Sequence, residues 1–528
     1  MRPVRIIPRL DIKGPNLVKG VHLEGLRVLG LPERFSNFYF LDGADELIYI
    51  DSVASLYGRN NLDAIVRKTA ENVFIPITVG GGIRTIDDIR GLLRAGADKV
   101  AINTQAVKHP FLITEAAKVF GSQCVVLEVQ AMKIGPERYE AYTDNGREPT
   151  GLDVFEWVKQ AVRLGAGEVL VTSIDNEGTA RGYDLELVKR IVDLVDVPVI
   201  ACGGAGSAAH VIDLVKACPV DAVCAATLFH YHVVMNFEAE KREEGNIDYL
   251  KKLLASQGAI LRRLTPMSVS ALKEQLGAAS VPCIESRYTA QFTSQQTSIG
   301  NEVRSRQRRG KPQIALVDYG RSNLFSVQHA LESINADVVI TSDPEAVVAA
   351  DKLIIAGVGA FGDGMDGLRR NNLIEAVREF VQQGKPLLGI CLGMQLFFEE
   401  GEEFGLHAGL GLIPGRVVRL TAAATDGGKL KIPHIGWNRL LPPTKHGAVG
   451  IWRRSGLLDG VEPGEFMYFV HSYIVAPDDR QVIAAETEYG VNRFCSVVIK
   501  DNIAGCQFHP ERSGIAGLMI YRNFTTAS

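Results

Sequence analysis

Lys385-Pro-Leu-Leu-Gly-Ile-Cys-Leu-Gly-Met-Gln-Leu-Phe-Phe398 reads as a strand, a sharp turn and the start of a helix. Leu387 to Ile390 form a short buried strand, and Met394 to Glu400 read as the first helical turns. Between them, Gly389-Ile-Cys-Leu-Gly393 has the Gly-x-nucleophile-x-Gly form of a nucleophile elbow, in which only glycine tolerates the close approach on either side. A cysteine there is expected exposed at the sheet edge before a helix N-terminus, a setting that favours thiolate chemistry. The N–H of Leu392, the next residue, is placed to stabilise an oxyanion.

A cysteine nucleophile needs a base. Ile503-Ala-Gly-Cys-Gln-Phe-His-Pro-Glu511 reads as a strand that runs into His509 and Glu511. Strand alternation would put these two on one face, so that the carboxylate orients the imidazole serving Cys391. Cys391, His509 and Glu511 then have the chemistry of an acyl-transfer triad.

These motifs, with Gly357-Val-Gly-Ala-Phe361 and Phe469-Val-His-Ser-Tyr473, resemble class I glutamine amidotransferases, and more narrowly the glutaminase of the imidazole glycerol phosphate synthase family. The resemblance runs from about Gln313 to Phe524. It implies that Cys391 attacks the side-chain amide of glutamine and releases ammonia, making this half a hydrolase. It also implies that Gly359 and Gln395 hold glutamine, that Gly357 and Val358 lie beside the oxyanion with Leu392, and that His471, Ser472 and Tyr473 complete the pocket. Ala356 stands where the family usually has proline.

The bulk numbers leave room for a second large domain. A chain of 528 residues suggests two to four domains, fewer if one is a barrel. Hydrophobic content of 46% and a net charge of −4 describe an ordinary globular protein and ask for neither nucleic acid nor membrane as partner. The eight cysteines include no Cys-x-x-Cys pair and read as reduced thiols. No ligand spacing calls for a metal, and no motif for a cofactor. The N-terminus lacks a secretory apolar core and no apolar run approaches ~18 residues, so the expected location is cytoplasmic.

Upstream, short apolar runs alternate with amphipathic helical stretches. Candidate strands are Arg5–Asp11, Glu46–Asp51, Ile75–Val79, Lys99–Asn103, Cys124–Val129, Glu168–Ser173, Val197–Ala201 and Ala222–Ala225. Helical patterns follow nearly all of them, as at Ile86–Ala95, Val154–Leu164 and Leu185–Leu194. Eight such units predict a (β/α)8 TIM barrel. The expected fold class is therefore α/β, an N-terminal barrel followed by a C-terminal amidotransferase domain.

An internal repeat supports the barrel. Ile75-Pro-Ile-Thr-Val-Gly-Gly-Gly82 matches Val197-Pro-Val-Ile-Ala-Cys-Gly-Gly204, and Ala101-Ile-Asn-Thr104 answers Cys224-Ala-Ala-Thr227. Glycine turns past strand ends make phosphate cradles, and two in one mouth suit a substrate with a phosphate at each end. Asp11 sits at the C-terminal end of the first strand, where barrel enzymes keep catalytic groups. The equivalent place after Cys124-Val-Val-Leu-Glu-Val129 holds Gln130.

Leu10-Asp-Ile-Lys13, Val18-Lys-Gly20, Gly25-Leu-Arg27, Val79-Gly-Gly-Gly-Ile-Arg84 and Gly203-Gly-Ala-Gly206 resemble the cyclase barrel of the same synthase family, from Arg5 to about Glu285. The resemblance implies that Asp11 is one of two catalytic aspartates and that Lys19 and Arg27 contact substrate. It puts Gly82, Asn103, Thr104, Gly204 and Thr227 in phosphate sites, and Arg5, Glu46, Lys99 and Glu168 in a ring through which ammonia enters. The chain departs from the family at Gln130, where the second aspartate falls, at Arg9, where Cys is usual, and at Glu177, where Asp is usual.

Pro8 to Gly20 with Val53 to Arg59 is more similar to paralogues that accompany acetamidino-forming sugar amidotransferases in surface polysaccharide synthesis. Two functions follow. The preferred one makes glutamine-derived ammonia and passes it through the barrel to such a partner. The alternative is a complete imidazole glycerol phosphate synthase of histidine biosynthesis, a lyase-type cyclase acting on a bis-phosphorylated ribulosylformimino-aminoimidazole carboxamide ribotide. The expected domains are 1–285, a tether at 286–312, and 313–528.

Overall fold

The computed structural model describes residues 3–54, 62–236, 263–284, 312–320, 323–425, 428–444, 452 and 456–526. The expected tether, apart from Pro312, and residues 55–59 of the Val53 to Arg59 stretch lie outside the described residues. The chain divides into two compact units, whose described parts are residues 3–117 with 125–284, and 118–124 with 312–526.

The first unit is a closed barrel of eight parallel strands, β1 Arg5–Lys13, β2 Leu47–Asp51, β3 Ile77–Gly80, β4 Lys99–Ile102, β5 Val125–Gly135, β6 Glu168–Ser173, β7 Val199–Cys202 and β8 Ala222–Ala225. Closure is carried by β8 beside β1 (Arg5 opposite Ala222) and by β5 beside β6 (Val126 opposite Glu168). All eight match the expected strands to within a few residues, because strands covered on both faces read as continuous apolar runs.

The helices are marked by their ends. Thr85 and Asp88 form a reciprocal capping box on Ile86–Arg94, and Asp153 caps Val154–Leu164. That second helix stops at Gly165, whose φ of 118° suits glycine. Alternation along the strands turns Ile7, Ile48, Ala101, Val126, Leu170, Ile200, Ala222 and Cys224 into one interior cluster. The two repeat strands, β3 and β7, fall diametrically opposite in the strand order, as a duplicated half-barrel requires.

Two antiparallel ribbons were not legible beforehand. Asn16–Val21 pairs with β1 and with Glu24–Gly30, and Arg138–Thr143 pairs with the overlong end of β5 and with Glu148–Asp153. The first carries Lys19 opposite Arg27.

The second unit is built on a seven-stranded sheet of β9 Gln313–Val317, β10 Asp337–Thr341, β11 Lys352–Gly357, β12 Leu387–Cys391, β13 Ile483–Tyr489, β14 Asn492–Lys500 and β15 Ile503–Cys506. Their order is β10-β9-β11-β12-β15-β14-β13, parallel as far as β15 and antiparallel beyond it. Phe361, Leu368, Phe380, Leu387, Phe397 and Phe398 fill its core.

One expectation fails here. The helix after the elbow is only Leu392–Gln395, and Phe398–Gly401 is a strand of a second, four-stranded sheet. Leu396, Phe397 and Phe398 are all fully buried, and an apolar run of that length cannot be told from a helix by periodicity alone.

Candidate active site

The elbow takes the expected form, with one change of setting. Cys391 ends β12 with φ 52° and ψ −109°, a conformation that costs an L-residue of order 1–3 kcal/mol unless its surroundings enforce it. They do. A Cβ on Gly389 would strike Phe397 and Met394, and one on Gly393 would strike the Ile355 carbonyl. The sulfur-bearing residue is not at an exposed edge: β12 is a central strand and Cys391 is 5% exposed.

His509 and Glu511 reach each other by a different route from the one alternation suggested. β15 ends at Cys506, and Pro510–Arg512 is a 3-10 turn. The turn brings Glu511 Oε1 to 2.7 Å from His509 Nδ1, while the other carboxylate oxygen accepts from Tyr521 at 3.0 Å. Burial opposes charge on the imidazole, but Glu511 and then Cys391 outweigh it and hold its pKa well above the ordinary histidine value. Burial likewise opposes charge on Glu511, and His509 reverses that to hold the carboxyl below its usual range. His509 Nε2 has no hydrogen-bond partner among the described residues, which leaves it as the nitrogen for proton exchange at the sulfur.

The cleft at Cys391 is lined by Gly359, Leu392, Gln395, Glu403, His471, Ser472 and Tyr473. Gly359 takes φ 121°, and a Cβ on Gly357 would meet the Tyr319 hydroxyl. Val358 follows directly on the end of β11. Gln395 donates from Nε2 to the Tyr473 carbonyl at 3.0 Å and to Gln507 Oε1 at 3.1 Å. His471 bonds the same carbonyl through Nδ1 at 2.9 Å and His434 through Nε2 at 3.1 Å. Burial pushes the His471 pKa down to about 3, so its ring is neutral and its tautomer follows from those partners.

Two residues here went unread in the sequence. Glu403 accepts the Phe361 N–H at 3.0 Å, and burial raises its pKa to about 7. Gln507, fully buried, donates to Cys391 Sγ at 3.5 Å. Gln507 was within reach, two residues before His509. Nothing local marked Glu403, which lies on the loop between two short strands of the second sheet.

In the barrel, the predicted ring closes completely. Arg5 bonds Glu46 at 2.7 Å and Glu168 at 2.5 Å, and Lys99 bonds the same two carboxylates at 2.5 and 2.6 Å. Thr78 adds a hydroxyl to Glu46 at 2.7 Å. All four charged side chains are buried, at the N-terminal ends of their strands. A buried pair of this kind is a weak source of net stability, but removing one member costs about 3–5 kcal/mol.

Towards the other end, Arg9 fills the interior. Its Nε lies 2.8 Å from Asp11, and its Nη1 lies 3.1 Å from Thr172 and 3.6 Å from Glu128. Burial opposes ionisation of Asp11, but Arg9 and Lys19 overcome it and hold its pKa below the usual range. Lys19 itself pairs with Glu177. Gln130 donates to Glu128 at 3.3 Å, and its Oε1 has no partner among the described residues.

Gly82, Asn103 and Thr104 line one cleft with Arg84, Lys108 and Gln130. Asn103 donates to the Tyr142 carbonyl at 3.1 Å, and the Thr104 hydroxyl accepts the Asp144 N–H at 3.1 Å. Gly204 (φ 104°) follows β7 and Thr227, which opens the helix Thr227–Asn236, follows β8, across the barrel from β3 and β4; neither lines that cleft. Arg27 lies on the first ribbon across from Lys19.

Comparison with known proteins accounts for both units. A family model described as "Histidine biosynthesis protein" matches residues 5–235, and one described as "Glutamine amidotransferase class-I" matches residues 315–526. Imidazole glycerol phosphate synthase subunit HisF of Legionella pneumophila is 64% identical over 206 residues, which are 39% of this chain and 97% of that protein. The chain belongs to the HisF family of imidazole glycerol phosphate synthase subunits. A HisF-like cyclase barrel is thus fused ahead of a class I glutamine amidotransferase domain, and the chain is an enzyme of that type. Among the described residues no helix is long and apolar enough to cross a membrane.

Proposed function

We propose that the chain is a single-chain imidazole glycerol phosphate synthase of histidine biosynthesis, working in the cytoplasm with its two domains joined by residues 286–312. The observation that carries the glutamine half is the His509–Glu511 pair at 2.7 Å beside Cys391. The Cys391 thiolate attacks the side-chain amide carbon of glutamine, and the N–H of Leu392, with Gly357 and Val358 beside it, supports the oxyanion. His509 gives its proton to the leaving nitrogen, which departs as ammonia. His509 then takes a proton from water as that water attacks the thioester, and glutamate leaves. Gln395 Oε1, the acceptor end of an amide whose Nε2 is held by Tyr473 and Gln507, and Glu403 suit the α-ammonium of glutamine.

Ammonia enters the barrel at the Arg5, Glu46, Lys99 and Glu168 ring and reacts near Asp11. A ribotide with two phosphates would occupy Gly82, Asn103 and Thr104 at one end and Gly204 and Thr227 at the other, with Lys19 and Arg27 between. The 64% identity to a HisF subunit supports this alternative over transfer to a sugar-modifying partner.

The conduit reading keeps one observation in its favour. Asp11 is engaged by Arg9, and the amide Gln130 stands where the resemblance puts the second aspartate, so that position offers no carboxyl for proton transfer; such a group is worth typically ~10²–10⁴ in rate. Supplying the ribotide and excess ammonium salt at mildly alkaline pH separates the two. Formation of imidazole glycerol phosphate is expected. Its absence, from protein that still hydrolyses glutamine, would overturn the synthase reading in favour of the conduit.

A further inference from the structure

The amide of Gln507 has one orientation available to it, and that orientation aims a donor at the nucleophile. The Tyr473 carbonyl can only accept, so the Gln395 side chain must turn its NH2 group towards it, at 3.0 Å. The same nitrogen lies 3.1 Å from Gln507, which must therefore present its oxygen. The NH2 of Gln507 is then left facing Cys391 Sγ at 3.5 Å. The Gln507 backbone N–H is tied separately to the Ser496 carbonyl at 2.9 Å, and the side chain is completely buried.

We infer that Gln507 is a further catalytic residue, whose N–H holds the Cys391 sulfur as thiolate and fixes its position for attack. A neutral amide does this where a second cation would not. It stabilises negative charge on sulfur without competing with Glu511 for His509, which must stay free to pass its proton to the leaving ammonia. Gln395 and the Tyr473 carbonyl act behind it, as the anchor that stops the amide from turning over. This inference rests on Cys391 being the nucleophile and is independent of what the barrel makes.

Alkylation of Cys391 by iodoacetamide, at pH 7 and at pH 10, reads the role directly. In Gln507→Met the rate at pH 7 is expected to fall ~10–100-fold, the worth of a hydrogen bond to a charged group, and to return to the parental value at pH 10. Glutaminase kcat should fall by a similar factor with KM within about threefold. Gln507→Glu keeps the acceptor that Gln395 needs while removing the donor. It should lose at least as much kcat as Gln507→Met, whereas a packing role would make it the milder change. It also serves as the test protein if Gln507→Met does not fold.

Parental alkylation of Gln507→Met at pH 7, an equal loss at both pH values, or a change in KM alone would overturn the inference. Glutamine hydrolysis that survives Cys391→Ala would instead overturn the reading of Cys391 on which it stands.

Discussion

Glu511 and Asp11 are both buried carboxylates, each held ionised by a cation on the same stretch of chain two residues away. Their partners make them opposites. Glu511 pairs with an imidazole, which can give up its proton, so the pair is a working base with an orienting charge behind it. Asp11 pairs with a guanidinium, which does not deprotonate in proteins, so that pair is a fixed dipole. Proximity of a carboxylate to a cation is thus not chemistry in itself; the exchangeable proton is. The His509–Glu511 pair holds one, whereas in the barrel Asp11 is tied to Arg9 and Gln130 beside Glu128 is an amide.

Removing the nucleophile should separate the two sites most completely. Cys391→Ala should abolish glutamine hydrolysis, by on the order of 10⁶-fold in kcat, and leave the ammonium-fed reaction of the barrel at its parental rate. Loss of both would mean that the two sites do not work separately.

Glu511→Gln keeps the shape of the turn and removes the charge, which should lower glutaminase kcat by ~10³–10⁴-fold. It also carries a stability signature. The raised His509 pKa gives stability that is complete below ~6.5 and is lost as pH rises through the folded value, while the lowered Glu511 pKa gives stability present above ~4.3 and lost in acid. The melting-temperature gap between parent and Glu511→Gln should therefore be widest between those two values and narrow on both sides. A gap independent of pH would remove the ion pair from the account.

On the barrel side, Arg9→Met strips the cation from Asp11 and Glu128 together and should destabilise the chain by about 3–5 kcal/mol in denaturant unfolding. A neutral result would show that Lys19 alone compensates Asp11. Gln130→Asp is the sharper test, because it returns a proton-transfer group to the mouth. The ammonium-fed rate should rise ~10²-fold or more, and an unchanged rate would place the limitation at the Arg9–Asp11 pair.

The smallest effect concerns Glu403. Its pKa of about 7 means that the carboxylate forms as pH rises from 6 to 8, so KM for glutamine should fall over that interval. In Glu403→Gln the dependence should vanish and KM settle ~10-fold higher. A parental pH profile in that variant would free Glu403 of any part in binding.

Local chemistry alone was enough for much of this protein. Glycines that permit a sharp turn, a nucleophile between them, eight apolar runs and a repeated glycine turn each state a requirement that holds wherever the segment lies. The elbow, the eight strands and the His509–Glu511 pairing were legible for that reason. The route between His509 and Glu511 was not, since proline at 510 turns the chain into a 3-10 helix where alternation assumes a strand.

Arg9 and Asp11 share a face of β1 by alternation, but only closure of the barrel makes that face the interior and sets the guanidinium against Glu128 and Thr172 from strands far along the chain. In the same way, no spacing in the sequence relates Gln395, Tyr473 and Gln507 to one another. Folding brings a carbonyl from one sheet and two amides from different segments within hydrogen-bond distance, and the fixed polarity of that carbonyl then decides which end of Gln507 meets the sulfur.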